Sequence, residues 1–228
     1  MLKPKHRIVS FSSESFIKGS ALLCLALLVI HCVLTIVHYR LLELPWLLRE
    51  LFDVDEEESI PTWFSSSMLL ITSLNLFLIA HVARLEKERD APYWWGLGAG
   101  FLFMSVDEIA GFHETLNSVT EFSWALPGLI VAAIIGGAYL GFLTRLPGAF
   151  AVKFMVAGSV FVGGAVGVEL ATEPYLYNDA LDTLAYNLWT PVEEGMEMGS
   201  VIFFLSTLFD YLRRFYQVDM RLALDKKD

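Results

Sequence analysis

Seven carboxyls and one imidazole lie in apolar surroundings, where an ionised side chain is expensive. The segment Ser105-Val106-Asp107-Glu108-Ile109-Ala110-Gly111-Phe112-His113-Glu114 carries Asp107, Glu108, His113 and Glu114. Val168-Glu169-Leu170 carries Glu169, and Pro191-Val192-Glu193-Glu194-Gly195-Met196-Glu197-Met198 carries Glu193, Glu194 and Glu197. A charge at bilayer depth costs roughly 2.5–3.5 kcal/mol even on insertion scales, so such residues are functional suspects by default. Between Arg89 and Arg213 the only cations are Arg145 and Lys153, and neither lies in an acid-bearing segment. Carboxyls crowded in this way either share protons or gather around a bound cation. Many carboxylates with one imidazole suit a hard or borderline divalent metal ion, namely Mg²⁺, Ca²⁺, Mn²⁺, Fe or Zn²⁺, and do not suit copper.

Helical geometry sorts these candidates. At ~100° per residue, Asp107 and Glu114 fall about 20° apart. A face centred on Ala110 also takes in His113 and turns Glu108 away, whereas a face centred on Gly111 does the reverse. Glu193 and Glu197 are about 40° apart, with Glu194 within about 60° of Glu197. The expected metal ligands are therefore Asp107, His113, Glu114, Glu169, Glu193 and Glu197, with Glu194 or Glu108 as the acid/base. Helix pairs offering acids and a histidine resemble, in principle, carboxylate-bridged metal sites of helical bundles. Some of these residues also have structural readings. Thr190-Pro191-Val192-Glu193 matches an N-cap, a proline at N1 and a capping-box glutamate at N3. Glu114 could be solvated at an interface. His31 and His38, seven apart, share a face and suit interhelical hydrogen bonding.

The elements that must hold these residues are membrane helices. Of 228 residues, 55% are hydrophobic and only 18% charged, against roughly 25% charged in soluble domains. With 16 Lys+Arg against 26 Asp+Glu, the chain is acidic, which excludes nucleic-acid binding through a basic surface. Six apolar stretches approach the ~20 residues needed to cross a bilayer: near 19–39, 62–82, 93–113, 125–144, 151–171 and 190–211. All the cations except Arg40 and Arg49 fall on one side of that arrangement. The positive-inside rule then places both termini in the cytoplasm, and depth counting puts the acids in the outer leaflet.

The expected fold is thus an all-α, polytopic membrane protein. A single membrane domain of six transmembrane helices spans 1–228, with an outer acidic loop over 40–61. In that loop Leu41, Leu44, Trp46, Leu47 and Leu48 suit a short amphipathic piece lying on the membrane. Its run of Asp53 and Asp55–Glu58 lacks EF-hand spacing and reads as a solvated turn. Gly96/Gly100, Gly137/Gly141 and Gly163/Gly167 are spaced for close helix packing, within the bundle or in a homo-oligomer. Cys24 and Cys32, eight apart on one helix, are too distant for a disulfide.

The expected function is that of a metal-binding protein of the plasma (inner) membrane. Its site would act as a metal-dependent hydrolase or related enzyme on a lipid or lipid-linked substrate. Metal would activate water or polarise the substrate, and a spare carboxylate would move the proton. The alternatives are a proton- or cation-coupled transporter or channel, with the acids as an ion relay, and a non-catalytic subunit of a membrane complex. The Glu193-Glu194 pair is not followed closely by an arginine, nor by any histidine. That departs from the CAAX-type membrane proteases, and no activity is carried over from them.

Overall fold

The computed structural model describes residues 8–10, 12–112, 124–217 and 221–223. Helices dominate: α1 Ser13–Arg40, α2 Trp46–Phe52, α3 Ile60–Leu85, α4 Ala91–Ala110, α5 Ala125–Leu143, α6 Gly148–Val162, α7 Glu169–Tyr177 and α8 Thr190–Tyr211. A π-helical turn, Gly163–Val168, joins α6 to α7, and a 3₁₀ turn, Tyr186–Leu188, precedes α8. Near the termini β1 (Ile8–Ser10) pairs antiparallel with β2 (Arg221–Ala223).

Among the described residues, four segments are long and apolar enough to cross a membrane: α1, α3, α5 and the run Gly148–Tyr177. The chain has the helices of a membrane protein. The expected third and sixth spans fall on α4 and α8, which have the length of a span but carry the acids. Asp107 and Glu108 lower the hydropathy of α4, and Glu193, Glu194, Glu197 and Asp210 lower that of α8.

α8 is the hub. It packs against α1, α3, α6 and the π-helical turn, while α3 pairs along its length with α4. At the end of the bundle near the C-terminus of α3 the core is aromatic. Trp94 packs edge-on to Phe142 and Phe154, and Tyr211 contacts Phe150, all around Leu76, Ile79 and Leu208. Toward the other end a second core joins Leu27, Phe64, Met68, Leu69, Met198 and Ile202. α5 joins the aromatic core only near its end, through Phe142, and Leu129, Ile130, Ile134 and Ile135 are exposed along the rest of it, as suits a helix whose solvent is lipid.

The glycine pairs are only partly packing seams. Gly96 is covered by the Tyr139 hydroxyl, and Gly163 lies against the methyl of Met196, but Gly100, Gly137 and Gly167 face open space. The amphipathic piece expected in the loop over 40–61 is α2. It leaves Trp46, Leu47 and Leu51 exposed.

Candidate carboxylate site

α8 begins where the 3₁₀ turn runs into Thr190. The residue before it, Trp189, is already in helical conformation, and no side chain caps the N-terminus. The expected capping box therefore does not form. Because the 3₁₀ turn feeds the helix directly, the Glu193 N–H donates to the Trp189 carbonyl at 3.1 Å. Thr190 Oγ1 instead reaches His31 Nε2 at 3.4 Å. Glu193 is released from capping, and its carboxyl comes within electrostatic reach of Glu169 and Asp55.

Glu194 and Glu197 interact with each other, with Glu193 and with Glu108. Glu169, the first residue of α7, acts on both Glu193 and Glu197. Five of the expected acids therefore converge: Glu108 from α4, Glu169 from α7 and three glutamates from α8. All five are half-buried. The acid of α4 felt at Glu194 and Glu197 is Glu108. Asp107, also half-buried, is carried about 100° further round that helix.

Two backbone features set these positions. Gly164, in the π-helical turn, is so close to α8 that a Cβ there would stand 3.0 Å from the Glu193 carbonyl oxygen and 3.2 Å from Glu197 Cγ. Only a glycine lets the α6–α7 segment approach the acid-bearing turn this closely. α4 ends at Gly111, which adopts a left-handed φ of 57° and donates its N–H to the Asp107 carbonyl at 2.8 Å. This is the usual glycine termination of a helix. The helix is broken there, so the 20° relation between Asp107 and Glu114 does not carry across it. His113 and Glu114 lie outside the described residues.

Sequence reasoning missed two members of the site. Asp55 is exposed, as the solvated-turn reading expects, but it also accepts a hydrogen bond from the Tyr186 hydroxyl at 3.1 Å on Oδ2. Its charge also reaches Glu193 and Glu194. Burial, followed by the charge and hydrogen bond of Asp55, pushes the Tyr186 phenol far above the usual tyrosine range. The phenol stays protonated and acts as a donor. The loop over 40–61 thus reaches the carboxylates. The side chain of Glu57 lies against Gly111, where a Cβ would collide with its carboxylate.

Next to this site lies a buried histidine hub. His31, 2% exposed, donates from Nε2 to the Asn187 carbonyl at 2.9 Å. Its Nδ1 stands 3.2 Å from Asp53 Oδ1, and the Val54 N–H reaches the same nitrogen at 3.3 Å. The expected interhelical bonding is present and extends to the loop between α2 and α3. His38 receives the Leu44 N–H at 3.1 Å and lies 3.2 Å from Arg49. Ser66, from the serine run opening α3, is stapled to Ser105: its hydroxyl donates to the Ser105 carbonyl at 2.7 Å.

Among the described residues, no three His, Cys, Asp or Glu side chains are placed to hold a metal ion. The arrangement does supply a concentration of carboxylate with a phenol donor at its edge. Nearby described ion pairs are peripheral, such as Arg49 with Asp182 at 3.9 Å.

No curated protein and no solved structure matches the chain. A protein family described as a domain of unknown function, DUF8692, matches residues 21–212.

Proposed function

The chain belongs to that DUF8692 family, and from its own residues we propose that it is a six-span plasma-membrane protein with a one-sided divalent-cation site. Both termini lie in the cytoplasm, and α4 and α8 are the remaining two spans, tolerated in lipid because their acids face the bundle. The observation that carries this reading is the convergence of Glu108, Glu169, Glu193, Glu194 and Glu197 around one turn of α8. A divalent cation is the simplest source of the positive charge such a group needs. The ligands would be drawn from Glu108, Glu169, Glu193 and Glu197, whose side chains would have to close in on the ion, since among the described residues no three of them already surround one position. Asp107, His113 and Glu114 are the further donors that the sequence offers beside them.

The chemistry that follows is metal-assisted hydrolysis of a lipid or lipid-linked substrate. The metal would polarise the substrate oxygen or lower the pKa of its bound water. Glu194 would serve as the acid/base, and Tyr186, a protonated phenol at the edge of the group, would donate to the substrate. A one-sided site is supported by what lies beneath it. Thr72 and Ser73, both 0% exposed, spend their hydroxyls on the Met68 and Gly98 carbonyls, and below them the aromatic core closes the bundle. A comparison of lipid profiles with and without the gene tests the enzymatic part. One lipid species should accumulate in its absence, and an unchanged profile would refute it.

One observation favours an ion-relay reading. Asn75, 6% exposed, has an Oδ1 with no hydrogen-bond partner among the described residues. Such an atom deep in α3 suits a water or ion passing through. Proton or cation flux in liposomes, lost in Asn75→Leu, would favour that reading over the enzyme. The open glycines of α5, Gly136 and Gly137, suit a homo-oligomer contact.

A further inference from the structure

At the far end of α3, about 28 Å along the helix from Ser66, the turn into α4 forms an open groove of ≈ 620 Å³. Arg84, Lys87 and Arg89 line it together with Trp95. Lys87 takes a left-handed φ of 58°, and the Glu88 N–H returns to the Ala83 carbonyl at 2.8 Å. The chain therefore reverses within a few residues. All three cations are exposed.

Of the three acids near the groove, Glu86 is exposed, while Glu88, which also lines the groove, and Asp90 hold partners. Glu88 Oε2 accepts the Tyr216 hydroxyl at 2.9 Å. Asp90 Oδ1 accepts from Arg145 Nη2 at 2.6 Å and Nε at 2.8 Å, and Arg89 approaches it only to 3.8 Å. Among the described residues Arg84 and Lys87 form no ion pair. Two apolar side chains flank these charges: Leu85 is 67% exposed and Trp95 39%. Leu85 is also the last residue of a membrane-spanning candidate, so the groove lies where headgroups meet water.

We propose that this groove binds an acidic glycerophospholipid, its headgroup phosphate held by Arg84, Lys87 and Arg89 and its acyl chains passing Leu85 and Trp95. The cations supply the electrostatic part, as basic pockets at helix ends do for anionic lipids. An indole at the headgroup level supplies the amphipathic part. A soluble anion would use the three cations but would have no use for the two apolar side chains. The site is independent of the carboxylate cluster and of any reaction there.

The test is native mass spectrometry of the full-length protein in neutral detergent, titrated with phosphatidylglycerol, phosphatidylcholine or inorganic phosphate. Wild type should hold phosphatidylglycerol at least about tenfold more tightly than phosphatidylcholine. The R84Q/K87Q/R89Q variant should lose on the order of a hundredfold, at roughly fivefold per cation. R213Q/R214Q, which removes cations outside the groove, should change little. If the triple variant does not fold, the single variants R84Q and K87Q carry the same test. Equal affinity for the two lipids, an equal loss in R213Q/R214Q, or inorganic phosphate bound as tightly as lipid would each overturn the proposal.

Discussion

His31 Nδ1 lies 3.2 Å from Asp53 Oδ1, a contact that ties the middle of α1 to the loop leading into α3. The same ring donates to the Asn187 carbonyl ahead of α8. One buried imidazole thus fixes three parts of the chain around the carboxylate site. Nδ1 has two partners that want different protonation states. It accepts from Val54 when neutral and donates to Asp53 when charged.

This pair predicts a pH dependence. Burial works against ionisation of Asp53, but its hydrogen bond and charge contact with His31 outweigh it and hold the carboxyl below the usual carboxylate range. A carboxyl whose pKa is depressed by folding stabilises the fold above its unfolded pKa. That contribution is lost as pH falls through the folded value, below about pH 4. Asp53→Asn should lower stability at neutral pH by about 1–3 kcal/mol and flatten the acid limb. Thermal unfolding in detergent from pH 3 to pH 7 measures both, and an unchanged acid limb would contradict the assignment.

Gly164→Ala should destabilise the protein by about 1–3 kcal/mol, the cost of overpacking. The atoms it would meet include the Glu193 carbonyl, which belongs to a helix backbone and cannot rotate away. Gly167→Ala meets nothing within 4 Å and should be neutral or stabilising by up to about 1 kcal/mol. Melting temperatures of the two variants should move in different directions or by clearly different amounts. Equal losses would show that Gly164 is not a contact-limited position.

Gly111→Ala combines two penalties. The left-handed backbone costs a β-carbon roughly 1–2 kcal/mol, and the added methyl would collide with the Glu57 carboxylate. Protease cleavage within the loop over 40–61, in detergent, should accelerate in the variant, because Glu57 is displaced. Cleavage at the wild-type rate would show that the loop does not depend on this contact.

Glu197→Gln should raise the stability of the metal-free protein, since it removes one charge from a like-charged group. The same variant should lose the stabilisation that added Mn²⁺ gives wild type, which follows ligand linkage. Opposite signs in the two conditions are the signature, measured as melting temperature with and without Mn²⁺.

The acids of α8 and the membrane character were readable from the chain because both rest on local periodicity and composition. Glu193, Glu194 and Glu197 fall within about a turn of one another, whatever the tertiary fold. Asp55 and Tyr186 were not readable. They meet across 131 positions of sequence, and a charged run such as Asp55–Glu58 has the local signature of a solvated turn. The break at Gly111 could have been suspected from the residue type, yet glycine also occurs inside membrane helices. Thr190-Pro191-Val192-Glu193 misled for a related reason. The motif was correct for a helix start, but after the 3₁₀ turn, which no local rule announces, Trp189 takes the capping position and Thr190 is already the first helical residue.

The central claim is tested most directly by the metal content of the purified protein, with wild type compared against E193Q/E197Q after identical exposure to Mn²⁺ and Zn²⁺ and exhaustive dialysis. The carboxylate site predicts a stoichiometric amount of one divalent metal in wild type and a near-complete loss in the variant. Wild type retaining no more metal than the variant would contradict it.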